Sequence, residues 1–323
     1  MQNYYYKDCN FNGWYQDLGL EPNRDFMWLL HHEKRTDFAE LLQLPKYQTA
    51  NNIFLVDSES IHCDPGAEWI NDSRIHFFMP CVSEIDRCQT YHFWFSFMRE
   101  IELHLKYNNK LIESHNKKYM FDALLGTPKN HKDVIKKYVD NSSNGNQFFV
   151  NYTGNPQNSK NCKWVNGSDL ESEETGIIEY NKQSQLTANS SCIIPYKIYN
   201  QCYYSLVCES VDQPLFYTEK TGKPLLSKRV FVMFSGKHHL KHLREFGFCT
   251  FDGIIDESYD EIDNRETRYA EAWKQVEFLL TQDPVAIYNR SKEILEHNYN
   301  HFMQTDWQEN MFKKIQNILH SSK

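Results

Sequence analysis

Short apolar runs that do not alternate with polar residues constrain this chain more than any other feature. They fall at residues 52–56 (NIFLV), 74–80 (RIHFFMP), 119–126 (YMFDALLG), 147–152 (QFFVNY), 203–207 (YYSLV) and 229–234 (RVFVMF). Runs of this length, rich in β-branched and aromatic residues, read as strands buried on both faces, and such strands belong to parallel sheets. Parallel neighbours need crossovers, and segments with helical spacing supply them. Residues 26–44 and 91–105 read this way. After Asp263 the chain looks helical to its end, with apolar positions at Trp273, Val276, Phe278 and Leu279, then Ile287, Ile294 and Leu295, then Trp307, Met311, Ile315 and Ile318. The pattern predicts an α/β fold with a helical C-terminus.

A chain of 323 residues exceeds what one hydrophobic core usually organises. The stretch Asp140-Asn141-Ser142-Ser143-Asn144-Gly145-Asn146 has linker composition and precedes a strand, which predicts a first domain over 1–142 and a second over 143–323. Between 154 and 191 Asn, Ser and Gly dominate, and Asp169, Glu171, Glu173 and Glu174 cluster, as in surface loops. With 40% hydrophobic residues the core material is ample, so the abundant Asn and Lys do not signal disorder. No run approaches the roughly 20 apolar residues of a membrane span. The N-terminus, Met1-Gln2-Asn3-Tyr4-Tyr5-Tyr6, lacks the basic-then-apolar order of a secretion signal. The expected location is the cytoplasm, and the 9 cysteines, which form no CxxC pair, are expected to be reduced. A net charge of -8 argues against a surface that grips nucleic acid over its whole extent and leaves room for a local basic groove.

Chemistry concentrates between the last two strand-like runs. The run 203–207 leads to Cys208-Glu209-Ser210, and Phe216-Tyr217-Thr218-Glu219-Lys220 follows where a helix would begin. In open α/β sheets ligands collect at the carboxyl ends of strands, and helix N-termini hold phosphate. Glu209 in that position can accept hydrogen bonds from ribose or sugar hydroxyls, and Lys220 can neutralise a diphosphate leaving group. On spacing alone, an ordinary N-cap at Thr218 with Glu219 and Lys220 on a solvated first turn accounts for the same residues. After the run 229–234, Ser235-Gly236-Lys237-His238 reads as a tight turn near the same ligand, approached by Ser235 or by the backbone N–H groups of Gly236 and Lys237. His238 and His242 have i,i+4 spacing without an HExxH frame, and a basic turn accounts for them. Asp256, Glu257, Asp260, Glu261 and Asp263 lack the ligand order of a calcium loop and read as caps of the helix containing Tyr269 and Trp273. No metal site is predicted.

These residues carry a resemblance. Glu209-Ser210 followed by Thr218-Glu219-Lys220 resembles the donor motif of fucosyltransferase-like enzymes, in which a strand ending in Glu-Asn-Ser precedes a Thr-Glu-Lys that opens a helix; here the asparagine is missing. More of the chain, from about Tyr119 to the mid 270s, resembles a group of glycosyltransferase-like proteins common in bacteriophage and marine microbial genomes. The matching pieces are Phe121-Asp122-Ala123-Leu124-Leu125-Gly126 with His131 after it, Ile194-Pro195, Ile198-Tyr199-Asn200, Thr218-Glu219-Lys220, and Gly247-Phe248 leading into 250–260 (TFDGIIDESYD). Lys132 stands where that group has arginine, and Thr127 where a basic residue is common. The resemblance implies two Rossmann-like domains facing a cleft, the GT-B arrangement, and a UDP- or GDP-linked sugar donor bound without metal. The implied donor residues are Glu209, Thr218, Glu219, Lys220, Ser235 and Gly236.

An inverting transfer needs a base for the acceptor hydroxyl, which two-domain enzymes of this kind draw from the first domain. Candidates are Asp122, expected at a strand end, Asp57 and Glu59 after the run 52–56, and His62. Asp57-Ser58-Glu59 also resembles the metal-binding triplet of single-domain, manganese-dependent glycosyltransferases, a rival architecture. The expected acceptor is a surface glycan or a hydroxymethylated pyrimidine in phage DNA. Lys129, Lys132, Lys136 and Lys137 would suit a duplex, in which case the host cytoplasm is the site of action. A non-catalytic nucleotide- or carbohydrate-binding module that keeps the fold is the alternative from another class.

Overall fold

The computed structural model describes residues 25–30, 45–57, 72–79, 89–92, 117–152, 163–165 and 194–321. The chain divides into two compact units, one of Met1–Phe95 with Asp306–Lys323 and the other of Ser96–Thr305. In the first, β1 (Asp25–Leu30), the short α1 (Pro45–Thr49), β2 (Asn52–Asp57), β3 (Ile75–Met79) and β4 (Gln89–His92) build a four-stranded sheet in the order β1-β2-β3-β4. Every pair is parallel, and Ile53, Phe54, Ile75 and Phe78 are buried, as continuous apolar runs require. Two helix expectations, over 26–44 and 91–105, give way to strands at their beginnings, and their remainders, 31–44 and 93–105, lie outside the described residues. Asp25–Leu30 is a strand in register with β2 along its whole length, and Tyr91 and His92 pair with Phe78 and Met79. A short apolar run fits a buried strand as well as a helix face, and here strand pairing decides.

The second unit carries β5 (Tyr119–Gly126), α2 (Asn130–Asn141), β6 (Phe148–Tyr152), β7 (Lys163–Val165), α3 (Tyr196–Tyr199), β8 (Cys202–Cys208), α4 (Glu219–Leu226), β9 (Phe231–Phe234), α5 (His239–Glu245), α6 (Arg265–Leu280) and α7 (Pro284–Gln304). Its five strands are all parallel, in the order β7-β6-β5-β8-β9. From β5 the chain steps outward to β6 and β7, then returns to β5's other edge for β8 and β9. This is the strand order of a Rossmann-like sheet. Phe121 stacks on its register partner Phe148 at 5.6 Å, and Trp273 of α6 continues the stack over Phe148 and Tyr138. The last helix, α8 (Trp307–Ser321), belongs to the first unit and buries Trp307, Phe312, Ile315 and Ile318.

The division expected after Ser142 falls inside this sheet, between α2 and its neighbouring strand β6. The polar stretch 140–146 is the solvent-facing end of α2 and a tight turn, with Ser142 N–H bonded to Val139 O and a 3-10 turn at Gly145–Gln147. Its composition is that of a helix end, which resembles a linker in sequence. Consequently β5, assigned in advance to the first domain, is the central strand of the second unit. Among the described residues no helix is long and apolar enough to cross a membrane.

Candidate functional site

Where a parallel sheet's chain reverses its direction of travel, the crossovers on either side leave the strand ends in opposite directions and open a crevice there. In the second unit that place is between the carboxyl ends of β5 and β8. Gly126 closes β5 with φ of 64°, a backbone conformation that glycine adopts without strain. The turn then delivers Lys129, His131 and Lys132 on the first turn of α2. From the other side come Glu209, Ser210 and the start of α4.

Three bonds tie the two sides together or close one of them. Lys129 Nζ donates to Ser210 O at 2.8 Å, and His131 Nε2 lies 3.0 Å from Glu209 O. Because a carbonyl only accepts, that nitrogen carries the proton, and burial lowers the pKa of the ring. Lys132 Nζ donates to Leu125 O at 2.6 Å. It is 3% exposed, and burial, reinforced by the charge of Lys220, pulls its ammonium down to about 8.

Glu209 points inward. Its Oε1 accepts from Thr218 N at 3.0 Å and Thr221 Oγ1 at 2.5 Å; its Oε2 accepts from Thr218 Oγ1 at 2.5 Å and, more weakly, from Ser210 N at 3.4 Å. A carboxylate has about four lone-pair positions, so none remains for a ribose hydroxyl. The residue therefore positions α4. Thr218 is the N-cap, as the structural reading of the motif expected, with its Oγ1 accepting from Lys220 N at 3.3 Å. Burial raises the pKa of Glu209, offset by Lys220 and these donors.

Glu219 and Lys220 stay half-buried at the crevice, joined at 2.5 Å. Burial works against ionisation of Glu219, yet Lys220 and Lys223 outweigh it and hold the carboxyl at about 2. Beneath α4, Thr221 Oγ1 faces His239 Nε2 at 3.4 Å; burial holds that ring neutral, with a pKa of about 3.

The remaining expected residues scatter. Gly236 follows β9, and a Cβ there would lie 2.3 Å from the backbone of Gln213. The glycine permits the 210–217 loop to pass directly over it, which accounts for the residue without a ligand. Ser235 O accepts from Arg268 Nε at 2.9 Å; its buried Oγ has no partner among the described residues. Arg268 also reaches Asp212 at 3.2 Å and the carbonyls of Ile262 and Asp263, clamping the same loop to β9.

Asp122 lies in the middle of β5, away from its end. Its Oδ2 accepts from Arg229 at 2.5 Å and from Ser205 Oγ at 2.9 Å, all fully buried, and Arg229 further donates to Ser205 Oγ, Tyr199 O and Cys202 O. Burial raises the pKa of Asp122 against the pull of Arg229. It sits in a buried ion pair within the sheet. Asp57 is the last residue of β2 in the first unit; Glu59 and His62 lie outside the described residues.

The acidic set is used differently from the expectation. Asp260 accepts from Leu240 N and Lys241 N at 3.0 and 2.9 Å, capping α5, while α6 is capped by its own Asn264. Glu257 takes Thr250 Oγ1, Phe251 N and Arg244, pinning the 250–257 loop, and burial pushes its carboxyl up to about 7. His238 pairs with Glu261 and His242 with Glu245; among the described residues no three such side chains gather to hold a metal. Of the four lysines, Lys132 turns inward, Lys129 bonds Ser210 O, Lys136 pairs with Asp140, and Lys137 is exposed.

His131 and Lys132 are the site residues that spacing alone did not place together with Lys220. The readable signal was the turn after Gly126, once β5 is taken as the first strand of a Rossmann-like sheet. Set against known protein families, curated proteins and solved structures, the chain matches none of them.

Proposed function

We propose that the chain is a nucleotide-sugar-dependent glycosyltransferase with two Rossmann-like domains, its donor diphosphate lying over the β5/β8 crevice. The observation that carries this reading is the meeting of Lys132 and Lys220, one from each side of the chain reversal, with no carboxylate bonded to Lys132 among the described residues. A buried cation left short of negative charge is costly unless a ligand completes it.

In this reading Lys220 and Lys132 neutralise the charge that develops on the departing nucleoside diphosphate, supplying what a bridging metal supplies elsewhere. Glu219, held ionised, accepts from a donor hydroxyl. Glu209 acts at one remove, fixing the helix start that presents both. The donor is UDP- or GDP-linked. The interrupted lysine pattern on α2 favours a glycan hydroxyl over a hydroxymethylated base in duplex DNA as acceptor.

The test is transfer or hydrolysis from a panel of UDP-, GDP- and CMP-linked sugars, with glycan and hydroxymethylated-DNA acceptors. Turnover should appear with one nucleotide class and fall roughly 10²–10³-fold in Lys220→Ala, the usual loss when one charge-stabilising donor is removed. Nucleotide binding with no turnover on any acceptor would instead make the chain a binding module.

A further inference from the structure

Lys132 is buried, yet among the described residues its ammonium makes one hydrogen bond, to Leu125 O, and no ion pair. Two of its three N–H donors are left for another acceptor. The charged and titratable groups facing it come from three elements. Lys129 caps its helix and neutral His131 lies on it; Lys220 and Glu219 come from α4; Cys208 ends β8 and Glu209 follows it, with Asp212 in the loop beyond. The negative charges among them are already committed. Glu209 is saturated by Thr218 and Thr221, Glu219 is joined to Lys220, and Asp212 faces Arg268 and Tyr269. Cys208 is a neutral thiol, pushed up to about 12 by burial.

Resting on the phosphate-site reading above, we propose that capture of a nucleoside diphosphate in the β5/β8 crevice is linked to protonation of Lys132, so that affinity for the nucleotide falls as pH rises. Burial and Lys220 hold the ammonium at about 8. An arriving diphosphate supplies the missing negative charge, favours the charged form and raises that value. Binding therefore takes up a proton wherever the free lysine is partly neutral. Affinity is full below about pH 8 and is lost as pH rises through it, until the raised value in the complex is reached. Arginine at the same place would remain charged throughout, so the pH dependence belongs to the lysine.

The experiment is isothermal titration of the full chain with UDP and with GDP at about pH 7 and about pH 9. Each titration is run in two buffers of different ionisation enthalpy, for the wild type and for Lys132→Arg. Wild-type affinity should fall roughly tenfold over that interval, as the charged fraction of a group titrating near 8 does. The heats near pH 8 should differ between buffers in the sense of proton uptake, and Lys132→Arg should hold its affinity. Titration of the nucleotides themselves is common to both proteins and cancels. A fall no larger in the wild type than in the arginine variant, or no proton uptake, overturns the link and leaves the phosphate site standing. Failure of both nucleotides to bind at any pH overturns the phosphate site and the link with it. Should Lys132→Arg not fold, the paired-buffer heats of the wild type decide alone.

Discussion

The strands β5 and β8 carry buried charge at two levels, and the two levels are built in opposite ways. In mid-sheet, Asp122, Ser205 and Arg229 form a closed network in which the carboxylate is bonded and the guanidinium donates through all three nitrogens. At the carboxyl ends, Lys132 has one carbonyl and no anion among the described residues, beside a second lysine, Lys220, that is paired with Glu219. A saturated buried charge is compatible with a purely structural role; a buried charge left short is costly, and the phosphate proposed above would relieve that cost. Asp122, in a motif-bearing strand, belongs to the first level, and Lys132 to the second.

The contrast can be broken by substitution. Arg229→Met leaves Asp122 without its counter-charge, held only by Ser205 Oγ in a fully buried place, and should cost about 3–5 kcal/mol, a fall in Tm on the order of 10 °C or failure to fold. A melting curve close to wild type would show that the network is dispensable. Glu209→Ala leaves the N–H of Thr218 and two hydroxyls unsatisfied beneath α4, which should cost about 2–4 kcal/mol. The readout is a lower urea midpoint, with nucleotide binding lost as the helix start loosens. Lys132→Met should act with the opposite sign: it removes an uncompensated cation and should stabilise the empty protein by about 1–3 kcal/mol while weakening nucleotide binding. Destabilisation by that variant would place Lys132 among the fold-holding charges.

Lys132 also gives a pH signature to stability. Unfolding returns it from about 8 to its ordinary 10.5, so the unfolded chain binds more protons in that interval. Its contribution to stability therefore rises with pH between the two values, and comparison of wild type with Lys132→Met across that range isolates it.

Most of the elements of the second unit were legible in the sequence because β5, β6, β8 and β9 are continuous apolar runs and α6 and α7 keep helical spacing. The first unit was less so: Asp25–Leu30 has the length at which a buried strand and a helix face look alike, and only pairing with β2 separates them. At the site, Thr218-Glu219-Lys220 was readable because cap chemistry is local. Lys132 stood out only through the resemblance, as a lysine in an arginine position; by spacing alone a lysine among others on a helix reads as a solvated face, and its burial is not legible there. The inward turn of Glu209 was equally hidden, because the donors that saturate it lie 9 and 12 residues away.

If the β5/β8 crevice holds a nucleotide through its phosphates, hydrogen exchange locates the binding. With UDP or GDP at saturating concentration, backbone amides of 126–133 and 209–221 should gain protection well beyond the rest of the second unit, and Lys220→Ala should abolish that gain. Protection centred elsewhere in the chain, or none with any nucleotide, would contradict the account.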